Sequence, residues 1–447
     1  MTHTTRRSLL KSAGAIGLAS AAGCLSEDGG GDGGSLRIGI MQPLTTSVDY
    51  YGQQSLWGFL SGLAYKHDQD PLSVDSPTEE TIEGDQYDYE LLIEDSEFDA
   101  DQAQSVATDF VENRDVDILF GTASSGSARR VIETVVSNTD TPFVAGPAAA
   151  ADITSDSQYC HERVFRASEN TAMDARSGGR YVANETDVER VFIMAADYSF
   201  GRAVAQNYRT VLEGEGIEIV GEEFVPQGYS EFEGFYENAV EAGADAVIGG
   251  FTVQTLPQFL STGLSGDYGL RMFGGFATLI SNQALGGVAQ RVFGEDFTAE
   301  DLRDAELGPF TTRYHWNQYD NDINSDFVDM YTGAYDIVPD LFTSGTFTAA
   351  SSIVQAVEEN GSTDADDVVD ALTGMTVEDT PKGQGGYTYQ EYNNQARSAM
   401  TISNPVPTTD EWAGNWDAPV MPSPPVTEIS ADDATIPQNA SGMNCDL

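Results

Sequence analysis

Two successive trains of alternating strand and helix patterns constrain this chain most. The first opens with "LRIGIM" (36–41), an apolar run that predicts a buried strand. A helix over 55–67 follows, with Leu56, Phe59, Leu60 and Leu63 on one face. "YELLIE" (89–94) predicts the next strand, and residues 100–113 an amphipathic helix with Ala103, Val106, Ala107, Phe110 and Val111 inward. "VDILF" (116–120), a helix carrying Val131, Ile132, Val135 and Val136, and "PFVAG" (142–146) extend the pattern. Repeated strand–helix–strand units of this kind build a parallel, doubly wound sheet. The alternation restarts near Asn170. Strands at 190–196, 217–225, 244–251 and 271–276 are separated by helices over 201–213, 231–242 and 253–263. The fold class is therefore α/β, with a second sheet that resembles the first in architecture but not in sequence.

At 447 residues the chain exceeds one ordinary core. Residues 281–308 read as an acidic insertion, and helices are expected over 325–335, 344–359 and 364–373. The stretch from 404 is proline-rich and extended ("NPVPTTDEW", "MPSPPV"). Two α/β lobes with late helices returning to the first make a clamshell. Ligands of open α/β sheets bind beyond the carboxyl ends of the strands.

Charge narrows the function. With 72 acidic and 21 basic residues the formal net charge is −51, and the acids are spread along the chain. Lys11, Lys66 and Lys382 are its only lysines. Such a surface fits a protein soluble in high salt, where self-repulsion is screened. No basic stripe exists to neutralise phosphates, so nucleic acid is not an expected partner. The histidines (His3, His67, His161, His315) are scattered. Neither a Gly-x-Ser-x-Gly elbow, a Cys-x-x-Cys pair nor a phosphate-binding glycine loop occurs, so neither catalysis nor a cofactor is expected.

The start of the chain reads as an address. Thr5-Arg6-Arg7-Ser8-Leu9-Leu10-Lys11 resembles a twin-arginine export signal, and an apolar stretch from Ala13 to Ala22 follows, too short for a permanent span. Ala21-Ala22-Gly23-Cys24 resembles a lipobox, with alanine where leucine is usual. Lipidation of Cys24 is the reading adopted, against an ordinary signal with a chance cysteine, because the polar tether "SEDGGGDGGS" comes next. In an exported protein Cys160 and Cys445 either close a disulfide or remain two thiols.

The candidate site lies in two loops. "FGTASSGSARR" (120–130) ends a strand and opens a helix, which places the hydroxyls of Thr122, Ser124, Ser125 and Ser127 where helix amides and the dipole favour an anion. Helix capping alone would explain a lone serine-rich turn. The next strand ends in a comparable small-residue loop, "AGPAAAADIT" (145–154), and two adjacent donor-rich loops form one concave anion site.

From about Leu36 to about Ser403 the chain resembles the leucine/isoleucine/valine-binding family of extracytoplasmic solute receptors for ABC importers, type 1 periplasmic binding proteins, in a haloarchaeal variety. The resemblance rests on "RIGIMQPLT…YYGQQSLWGF" (37–59), "IEDSEFDADQAQSVATDFV" (93–111), "FGTASS" (120–125), "GPAAAADIT…VFRAS" (146–168), "ADYSFGRAVAQNYRTVLEGEG" (196–216) and "GPFTTRYHW" (308–316), in order. It implies two doubly wound parallel-sheet lobes joined by three hinge crossings, near 168–171, 313–316 and 395–398. It puts Ser125, beside Ser124, at the hydroxyl that holds a ligand carboxylate, Ala148 at a backbone carbonyl, and Ala150 where threonine is frequent, leaving an N–H. Tyr51 matches an aromatic that packs on the ligand, Phe200 replaces a tyrosine, and Phe251 and Phe276 fall near two further contacts. The glutamate that binds an ammonium is missing near Phe276. Either an aromatic cage of Tyr51, Phe200, Phe251 and Phe276 holds the ammonium, or the ligand has none; Asp197 is another possible counter-charge, or else a helix cap.

The expected organisation is a signal over 1–23, a tether over 24–35, one lobe from 36–168 plus 316–395, a second from 169–315 plus 396–428, and a tail over 429–447. The expected function is a non-enzymatic receptor, anchored to the outer face of the cytoplasmic membrane by lipidated Cys24. It binds a branched-chain amino-acid-like solute, an amide or a carboxylate, and delivers it to ABC permease and ATPase subunits. The alternative is a ligand-sensing surface protein of the same fold without transport.

Overall fold

The computed structural model describes residues 34–274, 278–440 and 442–447. The first strand–helix train forms β1 (Gly34–Gln42), α1 (Asp49–Lys66), β2 (Thr78–Ile82), β3 (Tyr87–Asp95), α2 (Ala100–Asn113), β4 (Ile118–Gly121), α3 (Ser125–Thr134), β5 (Phe143–Ala145) and β6 (Val164–Phe165). Its strands make one six-stranded sheet in the order β2-β3-β1-β4-β5-β6. All neighbours run parallel except β2, which pairs antiparallel with β3. β1 lies centrally, so Ile38, Ile40 and Met41 are sealed from solvent on both faces. α2 starts at Asp99, whose carboxylate accepts from Asp101 N and Gln102 N, both at 2.9 Å. Its buried stripe is Ala103, Val106, Ala107 and Phe110; Val111, expected inward, is half-buried.

The second train follows: α4 (Thr171–Glu185), β7 (Arg190–Ala196), α5 (Ser199–Gly214), β8 (Glu218–Val225), α6 (Glu233–Glu241), β9 (Ala246–Gly250), α7 (Leu256–Ser265), β10 (Arg271–Gly274), α8 (Leu279–Phe293) and α9 (Ala299–Asp304). Its sheet is parallel throughout, in the order β10-β9-β7-β8. The segment read as an acidic insertion is instead mostly the apolar helix α8, which buries Leu285, Val288 and Ala289; acids gather only from Glu295 onward. The patterned apolar spacing wins over the local charge.

The chain then gives β11 (Phe310–Thr312), α10 (Asp322–Tyr335), α11 (Thr343–Asn360) and α12 (Ala365–Leu372). The last two return to the first sheet's core, where Ile353, Val354 and Leu372 join Leu56 and Phe59. α11 lies tight on α1: a Cβ on Gly62 would stand 2.4 Å from the Phe347 carbonyl oxygen. β12 (Thr376–Val377), β13 (Tyr387–Tyr389) and β14 (Ala396–Arg397) form a small antiparallel sheet. β15 (Met400–Ser403) pairs with β11 and with β18 (Thr427–Ile429). The proline-rich stretch is folded in as the ribbon of β16 (Pro405–Pro407) and β17 (Val420–Pro422), with Trp416 buried beside Trp316. α13 (Ala431–Ala434) precedes Cys445, which is disulfide-bonded to Cys160 with Cα atoms 5.8 Å apart.

In sequence, one group of elements gives way to the next after β6, after β11 and after β14. Buried charge pairs sit there. Glu169 accepts from Lys382 Nζ at 2.6 Å, Tyr387 OH at 2.6 Å and Ser398 Oγ at 2.9 Å. Arg313 makes a forked pair with Asp174, at 3.0 and 2.5 Å. No helix among the described residues is long and apolar enough to cross a membrane.

Candidate functional site

β4 ends at Gly121, where φ is +141° and an added Cβ would stand 2.2 Å from the Met41 carbonyl oxygen. Only glycine tolerates both conditions, so this turn is set by its lack of a side chain. The chain then turns into α3. Ser124 caps it: its Oγ accepts from Ser127 N at 3.3 Å. Ser125 is the first helical residue and is 3% exposed. Its Oγ accepts from Ala150 N at 3.0 Å, which ties the 120–127 loop to the 146–154 loop.

The second loop is fixed from beneath by Arg166. Its Nη1 donates to the carbonyls of Ala148 (2.9 Å) and Ala150 (2.7 Å). Its Nη2 donates to Thr154 Oγ1 and its Nε to Gln395 Oε1, both at 2.7 Å. Burial pushes the Arg166 pKa down, to about 9, so the group is still a cation at neutral pH.

A small cavity opens against these loops. From the first layered unit it is lined by Tyr51, Phe98, Ser125 and Phe342, with Ala123, Pro147 and Ala149 giving small-residue wall. From the second come Tyr198, Phe200 and Thr252. Tyr51 and Phe342 meet edge to face with centroids 5.4 Å apart; Tyr198 and Phe200 lie 5.9 Å apart. Tyr51 OH accepts from Val253 N at 3.2 Å, so the two units are bridged at the cavity rim. Desolvation holds the Tyr51 and Tyr198 hydroxyls well above the usual phenol range, so both stay neutral donors. No acidic or basic side chain is among the lining residues. Among the described residues, no group of three or more His, Cys, Asp or Glu is placed to hold a metal ion.

Of the residues singled out in the sequence, Tyr51, Ser125 and Phe200 are brought together here. Ser124 is adjacent but is engaged as a helix cap. The Ala148 carbonyl, expected to face a ligand, accepts from Arg166, and the Ala150 N–H is given to Ser125 Oγ. Both groups are thus engaged by protein partners. Phe251 belongs to the second sheet's core, its ring 5.3 Å from those of Phe232 and Phe259, because its strand ends pointing inward. Phe276 and Cys24 lie outside the described residues. Asp197 neither faces the cavity nor caps α5: it pairs with Arg202 on the surface, at 2.6 Å.

The sequence reading missed Phe98, Tyr198, Thr252, Phe342 and Arg166. Tyr198 stood within the quoted "YSFG" and was the nearest available signal. Phe98 is presented by two successive residues with φ near +50°, Glu97 and Phe98, a conformation no residue type announced.

Three solved structures of similar fold put this arrangement in context. An ABC-type branched-chain amino acid transporter from Rhodopseudomonas palustris CGA009 is 23% identical, with TM-score 0.68 over 90% of this chain and 99% of that one. An amino acid ABC transporter substrate-binding protein from Pseudomonas fluorescens Pf-5 is 18% identical, with TM-score 0.71 over 92% and 99%. A solute binding protein of an ABC transporter from Rhodopseudomonas palustris BisB5, in complex with 3,4-dihydroxy benzoic acid, is 18% identical, with TM-score 0.68 over 89% and 98%. A search of curated protein sequences finds no match. The family model described as periplasmic binding protein matches residues 35–406. With two doubly wound sheets and a cavity where their strand ends meet, the chain belongs to the periplasmic binding protein family.

Proposed function

We propose that the protein is an extracytoplasmic receptor that binds a small aromatic carboxylate and delivers it to an ABC importer. One observation carries the ligand class: five aromatic rings and the Ser125 hydroxyl line a cavity that has no charged side chain. A buried ammonium there would lack a counter-charge, which is costly. An aromatic ring gains from edge and face contacts with such walls, and a carboxylate gains from hydroxyls at the start of α3. The R. palustris BisB5 protein of the same fold, solved with 3,4-dihydroxy benzoic acid, supports this reading.

The lobes divide at the three crossings, one from 36–168 plus 316–395 and the other from 169–315 plus 396–428, and the tail over 429–447 is tied back to the first by the Cys160–Cys445 disulfide. Ligand binds the first lobe in the open form, and closure of the second, through contacts such as Tyr51 with Val253, shifts the population to the closed form. The closed form docks on the permease. A twin-arginine signal over 1–23 exports the chain, lipidated Cys24 and the tether over 24–35 hold it at the membrane, and the acidic surface keeps it folded in high salt.

The test is isothermal calorimetry in molar KCl with benzoate, 4-hydroxybenzoate, leucine and phenylalanine, together with small-angle scattering. The benzoates are expected to bind and compact the molecule, and leucine to do neither. Binding of leucine without binding of either benzoate would overturn the ligand class.

A further inference from the structure

The other deeply buried charges at the lobe crossings are matched, Glu169 by Lys382 and Arg313 by Asp174. Arg166 is different. It is 0% exposed, its hydrogen-bond acceptors are all neutral, and it has no carboxylate within ion-pair distance among the described residues. The acid that bears on it through space, Asp152, is already paired with Arg129. In a chain with 72 acidic residues, leaving one buried cation unmatched demands a reason, because isolation of a charge from water is costly.

Arg166 lies behind the loop that also holds Ser125. Arg166 Nη1 donates to the Ala150 carbonyl, Ala150 N donates to Ser125 Oγ, and the Ser125 proton has no acceptor among the described residues. Ser125 lines the cavity. In a low-dielectric interior the charge behind this loop reaches the cavity weakly screened. Arg166 also draws two carbonyl oxygens, of Ala148 and Ala150, to its own side. That takes negative dipole ends off the wall where an anion would sit.

The geometry points to Arg166 as the buried counter-charge and positioning residue for the ligand's carboxylate, acting through its field and its hold on the 148–151 loop without touching the ligand. This rests on the aromatic-carboxylate reading of the cavity.

The experiment compares benzoate with benzamide, its neutral isostere, by calorimetry on the full chain in molar KCl. The wild type is expected to prefer benzoate by about tenfold or more. Arg166→Lys keeps the charge and loses the fork; both probes bind more weakly and the preference survives. Arg166→Met removes the charge; benzoate binding falls far more than benzamide binding, and the preference collapses to about twofold. A residue that only holds the loop would weaken both probes alike, so an unchanged ratio in Arg166→Met overturns the inference. If Arg166→Met does not fold, loss of the preference in Arg166→Lys overturns it as well. A wild type that binds the two probes equally refutes the charge role and leaves the aromatic pocket standing. A wild type that binds neither removes the pocket reading and this inference together.

Discussion

Ser125 has two duties at one oxygen. It accepts from Ala150 N, and in the proposed site its proton goes to the ligand. Ser125→Ala therefore removes a hydrogen bond to a carboxylate, about 1.5–3 kcal/mol, or roughly 10- to 100-fold in benzoate affinity. It also strands the buried Ala150 N–H, at about 1–3 kcal/mol of stability. Calorimetry and urea unfolding on one sample separate the two effects; a loss of stability without a loss of affinity would remove Ser125 from the site. A second residue-scale prediction concerns His315 and Asp340, both fully buried, with Nδ1 and Oδ1 3.6 Å apart. Asp340 also accepts from Tyr50 OH and from Leu279 N, at 2.6 and 2.8 Å. Burial pushes His315 down to about 3 from 6.5. Its contribution to stability is present above pH 6.5 and is lost as pH falls toward 3, where only the unfolded chain gains the proton at first. Burial pushes Asp340 up to about 6 from 3.8. The native state then holds a proton that the unfolded chain releases, so this contribution is lost as pH rises from 3.8 to 6. The two oppose each other near pH 5. Relative to wild type, the melting temperature of His315→Leu should fall less between pH 7 and pH 5, and that of Asp340→Asn should fall more. Identical slopes in all three proteins would disprove the assignment.

At the scale of elements, α3 depends on its first turn. Ser124 supplies the cap at Ser127 N and does not line the cavity. Ser124→Ala should cost about 1 kcal/mol of stability and leave benzoate affinity unchanged, measured by urea unfolding and calorimetry. A large loss of affinity would return Ser124 to the ligand. Elements with a long, clean period were legible in the sequence: α2 spans Ala100–Asn113 and β7 spans Arg190–Ala196, as the patterns indicate. α1 starts six residues before the expected point, at Asp49, because the polar and glycine-containing "YYGQQ" hides its first turn. β2, with its "TEETI" pattern, is an edge strand whose pairing depends on β3 alone, so it leaves no strong local signal. The site was half legible for the same reason. Ser125 sits at a strand–helix junction that sequence marks, whereas Phe342 precedes a helix and reaches the cavity only because α11 packs on α1. Arg166 reads as one more arginine until the fold buries it.

For the whole molecule the governing fact is charge. Most arginines already have an acidic neighbour: Arg37 with Glu90, Arg114 with Glu79 and Glu94, Arg163 with Asp366, Arg209 with Glu222. With 72 acids against 21 bases, most carboxylates then have no local cation, and folding draws them closer together. Exposed pairs such as Arg114 with Glu79 offset little of this, since a surface ion pair is worth about 0–1 kcal/mol. What remains is long-range repulsion, which mobile ions remove: the screening length falls from about 10 Å at 0.1 M to about 3 Å at 1 M. Salt should also weaken the surface pairs, but those terms are few and short-range, so the repulsive term decides the sign. The melting temperature should therefore climb steeply between 0.1 and 1 M KCl and flatten above that, where screening is already shorter than the spacing between carboxylates. A second arm separates screening from a salt effect on apolar burial. Equal molarity of a zwitterion such as glycine, which adds no ionic strength but still acts as an excluded osmolyte, should raise the melting point far less than KCl does. A melting curve indifferent to KCl, or one that glycine moves as far, would show that the acidic surface is not what ties this fold to salt.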